Sequence, residues 1–143
     1  INGNDFGTAV SIGRMDALNG LLLKGDGKGG FLSLSILQSG IYIPGNGKAL
    51  VKLMSGKENY LVAASQFKGP LKIFELRRKI KTVPVDATDM YAIIDYKNGS
   101  SEKKEFYYGN SFLSQSARCM EVNELMNSIT IFNANGEKRV VKF

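Results

Sequence analysis

Ser128-Ile129-Thr130-Ile131-Phe132-Asn133-Ala134-Asn135-Gly136-Glu137-Lys138-Arg139-Val140-Val141-Lys142-Phe143 reads as two strands around a turn. β-Branched and aromatic side chains suit a half-buried pleated surface, and Asn135-Gly136 supplies the φ > 0 geometry of a tight hairpin. The same grammar recurs upstream. Ala92-Ile93-Ile94-Asp95-Tyr96 leads into Asn98-Gly99, Ser100-Ser101 lengthen the loop, and Glu102–Tyr108 follows.

Working outward, short apolar runs bounded by Gly, Asn and Pro recur every 8–12 residues or so, the spacing of an all-β chain. The expected strands before residue 80 are Thr8–Ile12, Leu21–Lys24, Phe31–Leu37, Ile41–Ile43, Ala49–Met54, Tyr60–Ser65 and Leu71–Leu76. After it come Lys81–Val85, Met90–Tyr96, Lys104–Tyr108, Ser111–Gln115, Ser128–Asn133 and Lys138–Phe143. Helix is scarce: Glu121–Met126 reads equally as a helical turn, a short strand or a loop. The fold expected is all-β, in antiparallel sheets. Arg77-Arg78-Lys79-Ile80-Lys81 marks the internal boundary, with Gly-punctuated strands before it and clustered charge after it.

Composition narrows the chemistry. The 143 residues are 43% hydrophobic and 22% charged, an ordinary globular balance with enough length for a real core. A single Cys rules out an internal disulfide, and no His leaves no Ser-His-Asp triad, Cys-His pair or usual zinc set. Nineteen basic against thirteen acidic residues give +6, a modest excess for this length. No apolar stretch approaches the ~20 residues of a spanning helix. The opening Ile1-Asn2-Gly3-Asn4-Asp5 is no signal peptide and lacks an initiator Met, as expected for a piece of something longer.

Gly25-Asp26-Gly27-Lys28-Gly29-Gly30 fits G-x-G-x-x-G, but Phe31-Leu32-Ser33-Leu34-Ser35-Ile36 behind it reads as strand. Without a helix N-terminus a pyrophosphate has no row of N–H groups, so this is a hairpin turn. Gly45-Asn46-Gly47-Lys48 lacks Walker spacing, and no segment offers three carboxylates in calcium register. The paired acids Asp86/Asp89 and Glu121/Glu124 have spacing that acid–base work could use, though thirteen acids yield such pairs by chance, and Cys119 reads as a buried apolar thiol. No catalytic constellation emerges, so no enzyme, cofactor or metal site is expected. Most aromatics read as core. The minority reading, a ligand-stacking face, rests on Phe67, Tyr107, Tyr108 and Gln115. A second candidate surface is polyanionic in preference: Arg77, Arg78, Lys79 and Lys81 for an acidic glycan or nucleic acid, nucleic acid being the less expected.

Leu21-Leu22-Leu23-Lys24-Gly25-Asp26-Gly27-Lys28-Gly29-Gly30-Phe31 resembles a blade end in FG-GAP/VCBS-type β-propellers, and 48–76 resembles a fainter second blade. Tyr108-Gly109-Asn110-Ser111-Phe112-Leu113-Ser114-Gln115-Ser116 and the 128–143 strand pair are similar to the C-terminal module of ASPIC/UnbV-type proteins. The resemblance implies two blade-like repeats over 1–78 and a small open-sandwich or barrel-like β module over 79–143, sharing one core or forming two. It implies a binding or scaffold module from an exported bacterial protein, extracytoplasmic, with a protein or glycan ligand. The calcium turn of such blades would fall at Ser55-Gly56-Lys57-Glu58-Asn59, where one carboxylate and a Lys make a poor cation site. Two blades cannot close a ring, so exposed edges must pack on the C-terminal module or pair with another copy.

Overall fold

The computed structural model describes residues 1–56, 59–109, 111–112 and 114–143. Thirteen strands and one helical turn carry these residues in the order β1 (Gly3–Asp5), β2 (Met15–Leu18), β3 (Leu22–Gly25), β4 (Phe31–Leu34), α1 (Ile36–Ser39), β5 (Gly47–Met54), β6 (Tyr60–Gln66), β7 (Lys72–Glu75), β8 (Thr82–Pro84), β9 (Asp89–Tyr96), β10 (Ser101–Glu105), β11 (Cys119–Glu121), β12 (Met126–Asn133) and β13 (Lys138–Lys142). The fold is all-β, every strand pairing is antiparallel, and no sheet among the described residues closes into a barrel.

The larger sheet runs β10-β9-β12-β13. Its period of two is plain in burial: Ala92 and Ile94 on β9 and Ile129 and Ile131 on β12 point inward, while Ile93 and Thr130 between them stay half-exposed. The inward residues pack on the antiparallel β8–β11 pair through Val83 and Met120, with Val85 and Met126 completing the core. The result is a small open sandwich. Both hairpins of this sheet turn alike: Tyr96 N–H bonds Ser100 O and Asn133 N–H bonds Glu137 O, with Gly99 and Gly136 at φ 83° and 80°. Only glycine takes that backbone without strain, which is why Asn-Gly was informative.

In the first half, β5-β6-β7 form a three-stranded sheet, and β3–β4 is a hairpin whose turn Asp26 organises. The Asp26 carboxylate accepts N–H from Lys28 (2.7 Å) and Gly30 (2.9 Å), so the Gly-rich run is the expected turn. Buried Asn4 ties β1 to the loop before β5, accepting from Leu18 N–H and donating to the Pro44 and Gly45 carbonyls. Gln66 meets the same loop from β6, accepting Gly45 N–H at 2.7 Å and donating to Pro70 O. The outer edge of β5 is covered by the segment before β11. Lys52 N–H donates to Ser116 Oγ, Ala117 N–H donates to Lys52 O, and Ser111 Oγ donates to Leu50 O.

Several expected strands are not strands. Thr8–Ile12 lies in an exposed turn where the N–H groups of Ile12 and Gly13 both bond Ala9 O. Ile41–Ile43 makes no ladder, although Ile43 is buried and bonds Asn19 O. The expected strand Phe31–Leu37 stops at Leu34, because Ser35 and Gln38 form a capping box that opens α1 and Gly40 closes it at φ 69°. Lys104–Tyr108 is displaced to Ser101–Glu105. Of Ser111–Gln115 there is an isolated bridge between Ser111 and Ser114, and Leu113 lies outside the described residues. Glu121–Met126 divides: Glu121 ends β11, Met126 begins β12, and a turn joins them.

Candidate functional site

The link between β7 and β8 carries the basic run, and the sheet brings distant residues to it. Lys81 O accepts Val122 N–H at 2.9 Å, fixing the link against the turn that follows β11. Within that turn Asn123 accepts Leu125 N–H on its side chain, and Leu125 O accepts Lys97 N–H from the β9–β10 turn. The outcome is a cleft of about 670 Å³. Arg78, Lys79, Lys81 and Lys97 rim it, over an apolar lining that includes Ile80, Leu125 and Phe143. Ile80 is buried, whereas Leu125 and Phe143 are exposed at 68% and 47%.

None of these four cations has an ion-pair partner among the described residues. Glu124 is the single Asp or Glu of the lining among the described residues. A concave surface with several uncompensated positive charges focuses potential and draws in anions. Arg77 does not share this cleft; it lines another, beside α1 and β7. Lys97 and Phe143 were not among the candidate residues, and no local pattern marks them: each lies far along the chain from 78–81.

The aromatic candidates do not converge. Tyr108 is committed internally, its hydroxyl donating to Ala87 O at 2.7 Å and its ring lying 4.2 Å from the Arg118 guanidinium. Gln115 accepts Gly109 N–H at 2.5 Å and donates to Ser116 O. Tyr107 is exposed, its hydroxyl bonded to the Glu105 carboxylate, which pushes the phenol up from its ordinary pKa. Phe67 sits on the β6–β7 turn beside Lys68, and no hydrogen bond, ion pair or ring contact among the described residues joins it to the other three. A ring stack, Tyr91 on Phe132 at 4.7 Å, lies on the outer sheet face with the Lys103 ammonium 4.7 Å from the Tyr91 ring. Tyr91 is therefore engaged by both neighbours.

The paired acids are also apart in role. Asp89, 2% exposed, receives two hydrogen bonds from Arg139 at 2.8 and 2.6 Å and one from Asp86 N–H at 2.7 Å. Burial opposes its charge, but those bonds and the Arg139 and Arg118 charges outweigh it and hold the carboxyl below its ordinary range. A general acid needs the opposite shift. Glu121 pairs with Lys52 at 3.0 Å, and Glu124 faces the basic cleft. Cys119 Sγ lies 3.5 Å from the Tyr60 hydroxyl; burial and that contact push the phenol up.

Among the described residues no three His, Cys, Asp or Glu side chains gather as a metal set, and no helix is long and apolar enough to cross a membrane. Lys57 and Glu58 of the calcium-turn equivalent lie outside the described residues. No known protein family matches the chain, and no curated protein or solved structure matches it either.

Proposed function

We propose that the chain is a non-enzymatic binding module that holds an acidic glycan in the cleft rimmed by Arg78, Lys79, Lys81 and Lys97. One observation carries this reading: four cations without ion-pair partners among the described residues converge on a concave surface that also offers exposed apolar contact. A linear polyanion would lay its charges along the rim, while the apolar faces of its sugar rings would meet Leu125 and Phe143. The broader setting belongs to the same proposal. In it the chain is the C-terminal part of an exported FG-GAP/VCBS-like bacterial protein, placed outside the cytoplasm. Its support is the blade-like β5–β7 sheet and the Gly-Asp-Gly hairpin turn before β4.

Titration with heparin at several salt concentrations tests the reading. With four cations engaged, log K should fall against log salt with a slope of about −3, by analogy with single-stranded polyanions. The combined change Arg78→Gln, Lys79→Gln and Lys81→Gln should cut affinity at low salt by about tenfold or more and flatten the slope to about −1. Salt-independent binding, or binding that the triple variant leaves intact, overturns it.

A further inference from the structure

Five Asn-Gly pairs lie along the chain, at Asn2, Asn19, Asn46, Asn98 and Asn135. In such a pair the glycine nitrogen can attack the side-chain amide carbon, because no Cβ on the glycine shields the approach. Burial and anchoring set three of them aside. Asn46 is 5% exposed, the Asn2 side-chain nitrogen is buried, and Asn19 is tied to Asn4 and Ile43 through its two carbonyl oxygens.

Asn98 and Asn135 remain, both exposed, and the two hairpins make them a matched pair. Each holds the same place in the same turn. Gly99 N–H bonds Tyr96 O at 3.0 Å, and Gly136 N–H bonds Asn133 O at 3.2 Å. The difference lies in the side-chain carbonyl. Asn98 Oδ1 accepts both Ser100 N–H, at 3.0 Å, and the Ser100 hydroxyl, at 2.7 Å. At the other turn Asn133 Oδ1 takes the corresponding Glu137 N–H, and no hydrogen bond among the described residues involves the Asn135 side chain. Tyr96, in the place of Asn133, turns its hydroxyl to Glu102 and leaves the Ser100 N–H to Asn98. An oxygen that reaches the N–H two residues on folds Cγ back over the intervening Gly99 nitrogen. Two donors on that oxygen also stabilise the negative charge that builds there during attack.

We infer that Asn98 is a self-modification site that offsets positive charge at the rim of the basic cleft. Gly99 N gives up its proton to hydroxide and bonds Asn98 Cγ. The Cγ–Nδ2 bond breaks, and ammonia leaves with a proton from water. A second water then opens the cyclic imide: attack at Cγ yields aspartate, and attack at the main-chain carbonyl carbon yields isoaspartate. Nothing is oxidised or reduced. Either product sets a carboxylate next to Lys97, one of the cations that rim the cleft. Asn135 lies at the opposite end of the sheet, since β9 pairs Tyr96 with Met126 but Asp89 with Asn133. The effect on ligand binding rests on the glycan reading above; the modification itself does not.

The test ages the whole chain at mildly alkaline pH and reads each Asn-Gly site by peptide mass and isoaspartate content. Asn98 should react about tenfold or more faster than Asn135, the effect of two modest hydrogen bonds at the reacting oxygen. Ser100→Ala should slow Asn98 by about fivefold, Ser100→Thr should restore it, and neither should move Asn135. In the urea-unfolded chain the difference between the two sites should vanish. Equal rates at Asn98 and Asn135 in the folded chain overturn the inference. So does a Ser100→Ala rate at Asn98 that is unchanged or higher. For the charge, Asn98→Asp should weaken heparin binding at low salt by about two- to fivefold, while Asn135→Asp leaves it unchanged. If the parent binds heparin and Asn98→Asp binds it equally, the effect on the cleft is overturned. If the parent does not bind heparin at all, the glycan reading falls, and the two rates still decide the modification.

Discussion

Asp89→Ala is expected to destabilise the chain by about 3 kcal/mol, the low end for breaking a buried ion pair. The carboxylate lies at the first residue of β9 and joins three separate segments. It clamps Arg139 of β13, holds the Asp86 turn through its N–H, and sits where the Asp89 and Asp86 carbonyls accept Arg118. The low end applies because Arg139 is 39% exposed and keeps Asp86 within 3.2 Å, so its charge is not stranded. Asp89→Asn keeps the shape and should cost about half as much; Asp86→Ala, at an exposed carboxylate, should cost under about 1 kcal/mol. Urea unfolding at pH 7 separates the three. The pH dependence has a definite sign. A carboxyl held below its ordinary value of 3.8 contributes stability that is complete above that value and is lost as pH falls through the folded value. The parent chain should therefore lose stability steeply below about pH 4, and Asp89→Asn should flatten that slope.

The strands legible in the sequence are those with apolar runs flanked by turn residues, whether buried, as on β9 and β12, or exposed, as on β3. β9, β12 and β13 carry β-branched runs ended by Asn-Gly, and the structure places them within two residues of expectation. Elements held by other means were not legible. β1 (Gly3–Asp5) and β2 (Met15–Leu18) show no apolar pattern, because their pairing is secured by the Asn4 side chain and not by a core face. β11 is three residues long and is visible only through its partner β8. Conversely, Thr8–Ile12 looked apolar enough for a strand, yet Val10 is fully exposed. The Ser35/Gln38 capping box was a readable helix start, overlooked because α1 spans a single turn.

The candidate sites divide on the same line. Positive charge at 77–81 could be read locally, but a cleft is a property of three segments, and only β9–β10 and β11–β12 turns bring Lys97 and Leu125 to the run. Asp89 reads in the sequence as one of a pair of acids; the structure has it accept Asp86 N–H, but its burial depends on Arg139, fifty residues further on. No local signal encodes that partnership. The structural use of Tyr108 and Gln115 was hidden for the same reason, since their partners are backbone groups, which every residue type offers.

A pair of neighbouring substitutions on β12 tests the sandwich itself. Ile129 is fully buried, opposite Ile94 on one side and Val141 on the other, in the cluster with Val83 and Met120. Ile129→Ala removes three carbons from a site hemmed in by two strands and the facing β8–β11 pair, so little collapse can refill the space. The expected loss is about 3–4 kcal/mol. Thr130, one residue on, points to the outer face between Ile93 and Val140 and is half-exposed. Thr130→Ala should cost about 1 kcal/mol or less, reflecting strand propensity and cross-strand contact. The contrast is sharper than either value, because a one-residue slip of β12 would exchange the two faces and reverse the order. Denaturant midpoints of the two variants, measured with the same slope, decide it. Equal losses at the two positions would mean that β12 does not divide a core from solvent and that the open sandwich is not the state in solution.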